Sequence, residues 1–288
     1  ERMPVSNFHR NAQQKFYGSF DGGLNLAVPS ESLPSNELKE AVNVEFSHLT
    51  GAMRVRGGLL LSGKFAAKLS SVVPFSGHNG FLVKRKNSKT VYFFRWNNIW
   101  PVNGTLSGDG ELSAVVWDDV LLVASGGKLQ KFTDGLPTLE TIDSSPENCR
   151  MVFVRDGRVG VVDGTDTGRF SAVGDCESWE NDTNDESSGQ FLEIGYKDGM
   201  DITALMPLSR DLIIFKSPEN EPEKGIIFRL TGSFPDWVVL EVAHNTGTFN
   251  QRSVQAVGND VFYVTPSGLA SLSSVTDRKS TRLNSSHG

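Results

Sequence analysis

Four acidic turn residues divide the middle of this chain. Asp119, Asp156, Asp211 and Asp260 each sit between two short apolar runs, 37, 55 and 49 residues apart. Around each, one unit recurs: an apolar strand, a polar turn, a second apolar strand, another turn and a third strand. Ser71–Phe75, Gly80–Arg85, Thr90–Trp96 and Ile99–Val102 make a first set. Leu112–Trp117, Val120–Ala124 and Lys128–Phe132 make a second. Arg150–Val154, Arg158–Val162 and Arg169–Val173 follow, then Ile202–Pro207, Leu212–Lys216, Ile226–Thr231 and Val238–Val242. Ser253–Val257, Val261–Thr265 and Leu269–Leu272 start a fifth, with Asn259-Asp260 as its turn. Units of about 40–50 residues with three or four strands each are what propeller blades produce. Pairs such as Asp156-Gly157 suit tight hairpins, and apolar walls let neighbouring sheets pack face to face. The pattern predicts an all-β fold, an incomplete β-propeller-like array of small antiparallel sheets over residues 69–276. Two sandwich domains would give a similar strand count and compete with it.

The first 68 residues differ. Residues 1–16 are polar apart from Phe8 and read as a flexible arm. Residues 17–68 hold a denser segment, in which FDGGLNLAVPSESLPSNELKEAVNVEFSHLTGAMRVRGG spans Phe20–Gly58. Its Gly22-Gly23 pair supplies a sharp turn. Leu24–Leu26 is extended, Pro29 and Pro34 bound a loop, and Glu37–Phe46 predicts a short helix or a helix running into a strand. Gly51 turns the chain into Met53–Arg56, and Leu59–Leu61 is a brief apolar strand. On the residues alone this is a turn-helix-strand entry to a β-rich domain, with Arg54 and Arg56 on one face of a strand.

Composition narrows the function classes. The chain of 288 residues carries a net charge of −6, which disfavours wrapping of nucleic acid by a basic face. No apolar run approaches the roughly 20 residues that cross a bilayer, and no membrane contact is expected. Cys149 and Cys176 lack histidine partners at metal-ligand spacing and read as reduced thiols of an intracellular protein.

Several clusters could carry chemistry, and each has a plainer account. Asp163, Asp166 and the acids of Glu177–Glu186 could offer oxygens to calcium, but they lack the EF-hand pattern. The acid-rich, base-free Cys176–Gln190 insert reads instead as a solvated loop. Asp118-Asp119 could be a hydrolase carboxylate pair, yet turn geometry explains it. No G-x-S-x-G occurs. Of His9, His48, His78, His244 and His287, none has a recognisable triad partner in sequence. Phe93, Phe94, Trp96 and Trp100, near Lys84, Arg85, Lys86, Lys89 and Arg95, could stack bases, although packing between blades accounts for them. No catalytic residue, metal, cofactor or small-molecule ligand is expected.

The order and spacing of Phe20, Gly22, Gly23, Leu24, Asn25, Pro29, Ala41, Asn43, Val44, Gly51, Met53, Arg54, Arg56 and Gly57 resembles an N-terminal signature of podophage tail nozzle and tail tubular proteins. In that family F-x-GG-[LI]-N is followed by a proline loop, A-x-NV and G-x-M/L-R-x-R-x-G. Trp179, Gly195–Lys216, IIFRLTG, Trp237, NTG and SVQAVGNDVFYVTPSGLASLS resemble its later blades. The likeness covers residues 20–276 and rests on strand and turn patterns rather than on catalytic residues. It implies a virion structural protein and no enzyme. Such a subunit would join a homo-oligomeric ring with other tail proteins, around a channel through which DNA passes during ejection.

The last residues stand apart. DRKSTRLNSSH, Asp277–His287, is similar to a translated sequencing adapter, so residues 277–288 are expected to be a non-native tail. That tail carries a net +2, leaving −8 on the rest. The fifth strand set stops near Ser274, and an unpaired apolar edge near Val261–Val264 or Leu269–Leu272 is expected.

Overall fold

The computed structural model describes residues 23–34, 36–40, 44–46, 53–55, 68–96, 98–182 and 184–274. The chain forms two compact units, residues 1–61 and residues 62–288.

In the first unit, β1 (Gly23–Leu24) pairs in parallel with β2 (Glu37–Leu38). Asn25 continues that pairing. Its N–H donates to the Leu38 carbonyl at 2.9 Å, and its side-chain amide donates to the Glu37 carboxylate at 2.6 Å. Its side-chain oxygen accepts from the Ala27 N–H at 2.9 Å, which starts the loop toward Pro29. A second ladder joins β3 (Val44–Phe46) to β4 (Met53–Val55), antiparallel, with Glu45 opposite Arg54. The helix expected over Glu37–Phe46 is not formed at its described residues. Glu37–Leu38 and Val44–Phe46 are strands, because each finds a partner ladder that satisfies its backbone groups. Among the described residues of this unit, the helical turn is the short 3-10 segment Ser30–Ser32.

The second unit is a ring of five small antiparallel sheets, a five-bladed β-propeller arrangement. Blade 1 contains β5 (Leu69–Phe75), β6 (Gly80–Arg85), β7 (Val91–Arg95) and β8 (Asn98–Pro101). Blade 2 contains β9 (Ser113–Trp117), β10 (Val120–Ala124), β11 (Gln130–Thr133) and β12 (Thr138–Thr141). Blade 3 contains β13 (Cys149–Arg155), β14 (Arg158–Asp163), β15 (Thr167–Phe170) and β16 (Gln190–Glu193). Blade 4 contains β17 (Asp201–Leu208), β18 (Asp211–Ser217), β19 (Ile226–Thr231) and β20 (Val238–His244). Blade 5 has three strands, β21 (Val254–Val257), β22 (Asp260–Thr265) and β23 (Gly268–Ser271). Sequential pairing within each sheet, with no crossover, agrees with a propeller and not with paired sandwiches.

The two-residue side-chain period of a strand builds the core. In β10, Leu121 and Val123 face blade 1, where they meet Phe75, Leu82 and Phe93. Their neighbours Leu122 and Ala124 face blade 3 and meet Cys149, Val159 and Val161. In β18, Leu212 and Ile214 pack on Phe153 and Phe170 of blade 3, while Ile213 and Phe215 pack on Val261 and Tyr263 of blade 5. Second strands buried on both faces therefore read as unbroken apolar runs. Each such Leu, Ile or Phe contributes roughly 1.5–3 kcal/mol by leaving water.

Tight turns confirm part of the acid pattern and shift the rest. Asp118 and Asp119 both adopt positive φ (44° and 61°) between Trp117 and Val120, as do Asp156 and Gly157 (51° and 69°) between Arg155 and Arg158. In blades 4 and 5 the turns are Ser209-Arg210 and Gly258-Asn259, so Asp211 and Asp260 already belong to β18 and β22. The outer strands β12 and β16 add to the sets expected from the sequence, since TLET and QFLE carry no long apolar run to mark them. The third strand of blade 3 lies at Thr167–Phe170 rather than Arg169–Val173. The expected arm 1–16, the strand Leu59–Leu61 and the tail 277–288 lie outside the described residues.

Candidate functional site at the mouth of the ring

A charged residue stands at the start of the inner strand of blades 2 to 5: Glu111 before Leu112, Arg150 before Met151, Asp201 before Ile202, and Arg252 two residues before Val254. The inner strands start at one end of the ring, so this spacing gathers all four around a single cavity of about 410 Å³. Their signs alternate in blade order.

Each arginine is tied to a neighbouring blade. Arg150 donates to the carbonyls of Gly164 (2.9 Å) and Ile202 (3.0 Å) and lies 4.0 Å from the Asp201 carboxylate. Arg252 donates to the Ser70 carbonyl at 2.8 Å and to the Ser71 hydroxyl at 2.5 Å, and lies 3.5 Å from Glu111. Those bonds join blade 5 to blades 1 and 2 at the mouth. Gln251 fastens blade 5 to blade 4, accepting from the Leu205 N–H and donating to the Leu205 carbonyl, both at 2.7 Å. The ion pairs are part-exposed and stabilise by about 0.2–1 kcal/mol each. Their larger effect is to hold four charges at set positions.

Below the mouth the axis continues as a second cavity of about 410 Å³. Its walls include Val72, Ala114, Val152, Leu205 and Pro207, contributed by the innermost strands of four blades. The rim carries the Ser217–Asn220 and Thr248–Asn250 loops. A well with apolar walls and a charged, hydrogen-bonding rim suits a ligand with an apolar end and polar groups above it.

The groups singled out in the sequence are not brought together here. The turn acids have local roles: Asp156 accepts from the Trp237 indole N–H at 2.6 Å, and Asp211 accepts from Arg229 Nε at 2.7 Å. Asp163 accepts from Arg169 Nε at 2.6 Å, and Asp166 accepts from the Lys197 N–H at 2.9 Å. No group of three metal-ligating side chains occurs among the described residues. His78 stacks on Phe75 at 3.8 Å and faces Asp134 at 3.1 Å, and His244 faces Glu241 at 3.2 Å. His9, His48 and His287 lie outside the described residues.

The aromatic platform does not form. Phe93 is buried between blades 1 and 2, with Trp100 stacked 6.0 Å from it, while Phe94 points to the opposite face of blade 1. Trp96 is exposed, with the Arg95 guanidinium 4.3 Å from its ring centre. Lys84, counted toward a basic groove, is buried and donates to the carbonyls of Asp109 and Gly110 at 2.5 Å. Burial pushes its ammonium below the usual lysine range, against the nearby Asp109 and Glu111.

The acidic insert is a loop at its described residues, as expected. Its acids are exposed, but its backbone folds around Arg158, which is 1% exposed. That guanidinium donates to the carbonyls of Ser171 (2.8 Å), Glu186 and Ser188. Arg158 reads in sequence as a strand residue after a turn, and no local signal marks this use. Cys176 is buried beneath the same loop, and its carbonyl accepts from the Trp179 indole at 2.8 Å.

Of the signature residues, Gly23, Leu24 and Asn25 lie in the β1–β2 pairing, and Arg54 is on β4. Phe20, Gly22, Asn43, Gly51, Arg56 and Gly57 fall outside the described residues.

Comparison with protein families and with curated proteins gives no match. Among solved structures, the extracellular domain of a one component system from B. thetaiotaomicron aligns at TM-score 0.48 and 12% identity, over 72% of this chain and 27% of that one. Virginiamycin B lyase from Staphylococcus aureus aligns at 0.43 and 13%, over 70% of this chain and 69% of that one. YCF48 bound to D1 peptide aligns at 0.48 and 11%, over 76% and 68%. The chain thus spans about a quarter of the length of the first.

Proposed function

We propose that this chain is a propeller interaction module, whose ring presents the mouth formed by Glu111, Arg150, Asp201 and Arg252 to a partner. The observation that carries this reading is the fixed alternation of charge above an apolar well. The two arginines, held by hydrogen bonds to neighbouring blades, are preorganised for recognition, so little of their ordering entropy remains to be lost on binding. Glu111 and Asp201 each face an arginine, whereas a glycosidase turns its carboxylate pair toward the scissile bond.

A photo-crosslinking residue placed at Asn220, on the rim, should capture a partner from an extract of the source cells. The same residue at Glu140, on an outer strand, should not. Equal capture at both positions, or release of reducing sugar from host polysaccharide by the purified protein, would overturn the reading, the second in favour of a propeller hydrolase.

A second reading is favoured by the N-terminal signature, in which Asn25 and Glu37 interlock two short strands. It makes the module a tail-tube or tail-nozzle subunit of a podophage virion. The subunit would sit in a homo-oligomeric ring with other tail proteins, around the path of ejected DNA. Native mass spectrometry of the purified chain with its neighbouring tail proteins should then show a closed ring. A monomer under all these conditions would remove this reading and leave the first intact.

A further inference from the structure

At the mouth, the unused hydrogen-bonding capacity lies mainly with the carboxylates. Arg150 already directs two nitrogens to the carbonyls of Gly164 and Ile202, and Arg252 directs two to the Ser70 carbonyl and the Ser71 hydroxyl. Asp201 stands 4.0 Å from Arg150 and Glu111 stands 3.5 Å from Arg252, and among the described residues neither carboxylate accepts a hydrogen bond. Charge-assisted N–H···O bonds close to about 2.7–2.9 Å, so both leave room for a better donor. Glu219, on the Ser217–Asn220 loop, brings a third carboxylate to the same cavity. Three carboxylates against two guanidinium groups give the lining a net charge of −1. The Glu111 and Asp201 side chains are 59% and 48% exposed, so a solute can reach them.

Two further groups favour the same kind of ligand. Phe249 lines the cavity and is 53% exposed, and an open aromatic face attracts a cation. The cations that lie over rings among the described residues are Arg95, Arg158 and Lys197, none of them at the mouth. Ser217 also lines the cavity, is 2% exposed, and its hydroxyl oxygen has no hydrogen-bond partner. An unmatched buried hydroxyl carries a free-energy penalty that a donor would relieve. Beneath them, the apolar walls formed by Val72, Val152 and Leu205 would receive a carbon chain.

An anion would meet the excess of carboxylates, and a neutral polar group would leave their charge unanswered. We propose, on the interaction-module reading of this mouth, that it binds a primary alkylammonium group, the chemistry shared by a small amine and a partner's lysine side chain. Glu111 and Asp201 accept from the ammonium, Phe249 adds cation–π attraction, and the aliphatic stem enters the apolar well.

The test titrates the full chain with n-butylammonium at neutral pH and low salt, followed by ligand-observed NMR. Butanol and butyrate serve as the neutral and anionic counterparts. The ammonium should bind about fivefold or more tightly than either. Glu111→Gln, Asp201→Asn and Phe249→Ala should each weaken it about threefold to fivefold, with circular dichroism unaltered. Glu140→Gln, on an outer strand, should leave it unchanged. Acetyl-lysine-amide binding as tightly as the amine would assign the group to a partner's side chain, and much weaker binding would assign it to a small amine. Equal binding of ammonium, butanol and butyrate, or affinity unchanged in all three mouth variants, would overturn the proposal. So would a wild-type chain that takes no amine until Lys15, Lys64 and Lys279, which lie outside the described residues, are replaced, since the mouth would then hold the chain's own lysine. Partner capture at Asn220 without amine binding would overturn this inference and leave the interaction module standing. Amine binding without capture would do the reverse.

Discussion

From a fully buried position on β18, the Lys216 ammonium donates to both carboxylate oxygens of Asp198, at 2.9 Å each. It also donates to the carbonyls of Ile194 (2.6 Å) and Gly195 (2.9 Å). One side chain thereby holds the loop that leads from blade 3 into blade 4. Removing one partner of a buried pair leaves a charge without compensation. Asp198→Ala should lower unfolding stability by about 3 kcal/mol, the lower end of the range for buried pairs, because Asp198 is itself part-exposed. Lys216→Met combined with Asp198→Ala should recover most of that loss. Urea denaturation of the three variants measures both effects. A loss below about 1 kcal/mol for Asp198→Ala would place the pair with surface bridges.

Arg158 makes a local claim. Arg158→Met keeps an apolar stem of similar length but removes the donors to Ser171, Glu186 and Ser188. The 176–190 loop should then be cut by protease many times faster, while the blade core keeps its resistance. Cleavage mapped by mass spectrometry should fall between Glu180 and Gly189. An unchanged pattern would mean that the loop's own turns, such as Asp185 capping Ser187 at 2.8 Å, suffice to hold it.

Two glycines separate close approach from empty space. A Cβ on Gly127 would stand 2.6 Å from the Ser107 carbonyl carbon and 2.8 Å from the Gly108 nitrogen, both backbone atoms that cannot swing aside. Around Gly135 nothing lies within 4 Å. Gly127→Ala should cost about 1–3 kcal/mol through forced backbone shifts. Gly135→Ala should be neutral or slightly stabilising, since it restricts the unfolded chain. Thermal melts of the pair test the contrast, and equal melting temperatures would refute it.

Cys149 gives a pH dependence with a definite sign. Burial pushes its thiol from 9.0 up to about 12. The unfolded thiol ionises first, so alkali favours the unfolded chain. The contribution is fully present below pH 9 and is lost as pH rises from 9 toward about 12. The folded protein should resist iodoacetamide at Cys149 at pH 8.5 and react only in denaturant. The denaturation midpoint should fall between pH 8.5 and pH 10.5 by more in wild type than in Cys149→Ala. Identical pH profiles would show that other groups govern the alkaline side.

Much of this architecture was legible in the amino-acid order. Val120–Ala124 and Leu212–Phe215 are apolar at every position because both faces of a second strand are buried, and that shows without coordinates. Asp118-Asp119 and Asp156-Gly157 announce hairpins because few residues accept positive φ. The four charges of the mouth, at or near the start of the inner strands of blades 2 to 5, were not singled out by the sequence, because nothing local says that four separated positions converge. Their meeting depends on ring closure.

Other features were decided by tertiary structure alone. Thr138–Thr141 and Gln190–Glu193 become strands because neighbouring ladders need partners, not through apolar patterning of their own. Arg158 could have been a solvated strand residue, yet a distant loop surrounds it with carbonyls. Glu37 lost its expected helix to a partner twelve residues earlier, Asn25, whose amide it accepts. Short-range preferences are set by each residue's own sterics and are written in the chain. Pairing between distant segments is set by which backbone and charged groups remain unsatisfied after the chain collapses, and only the folded molecule resolves that.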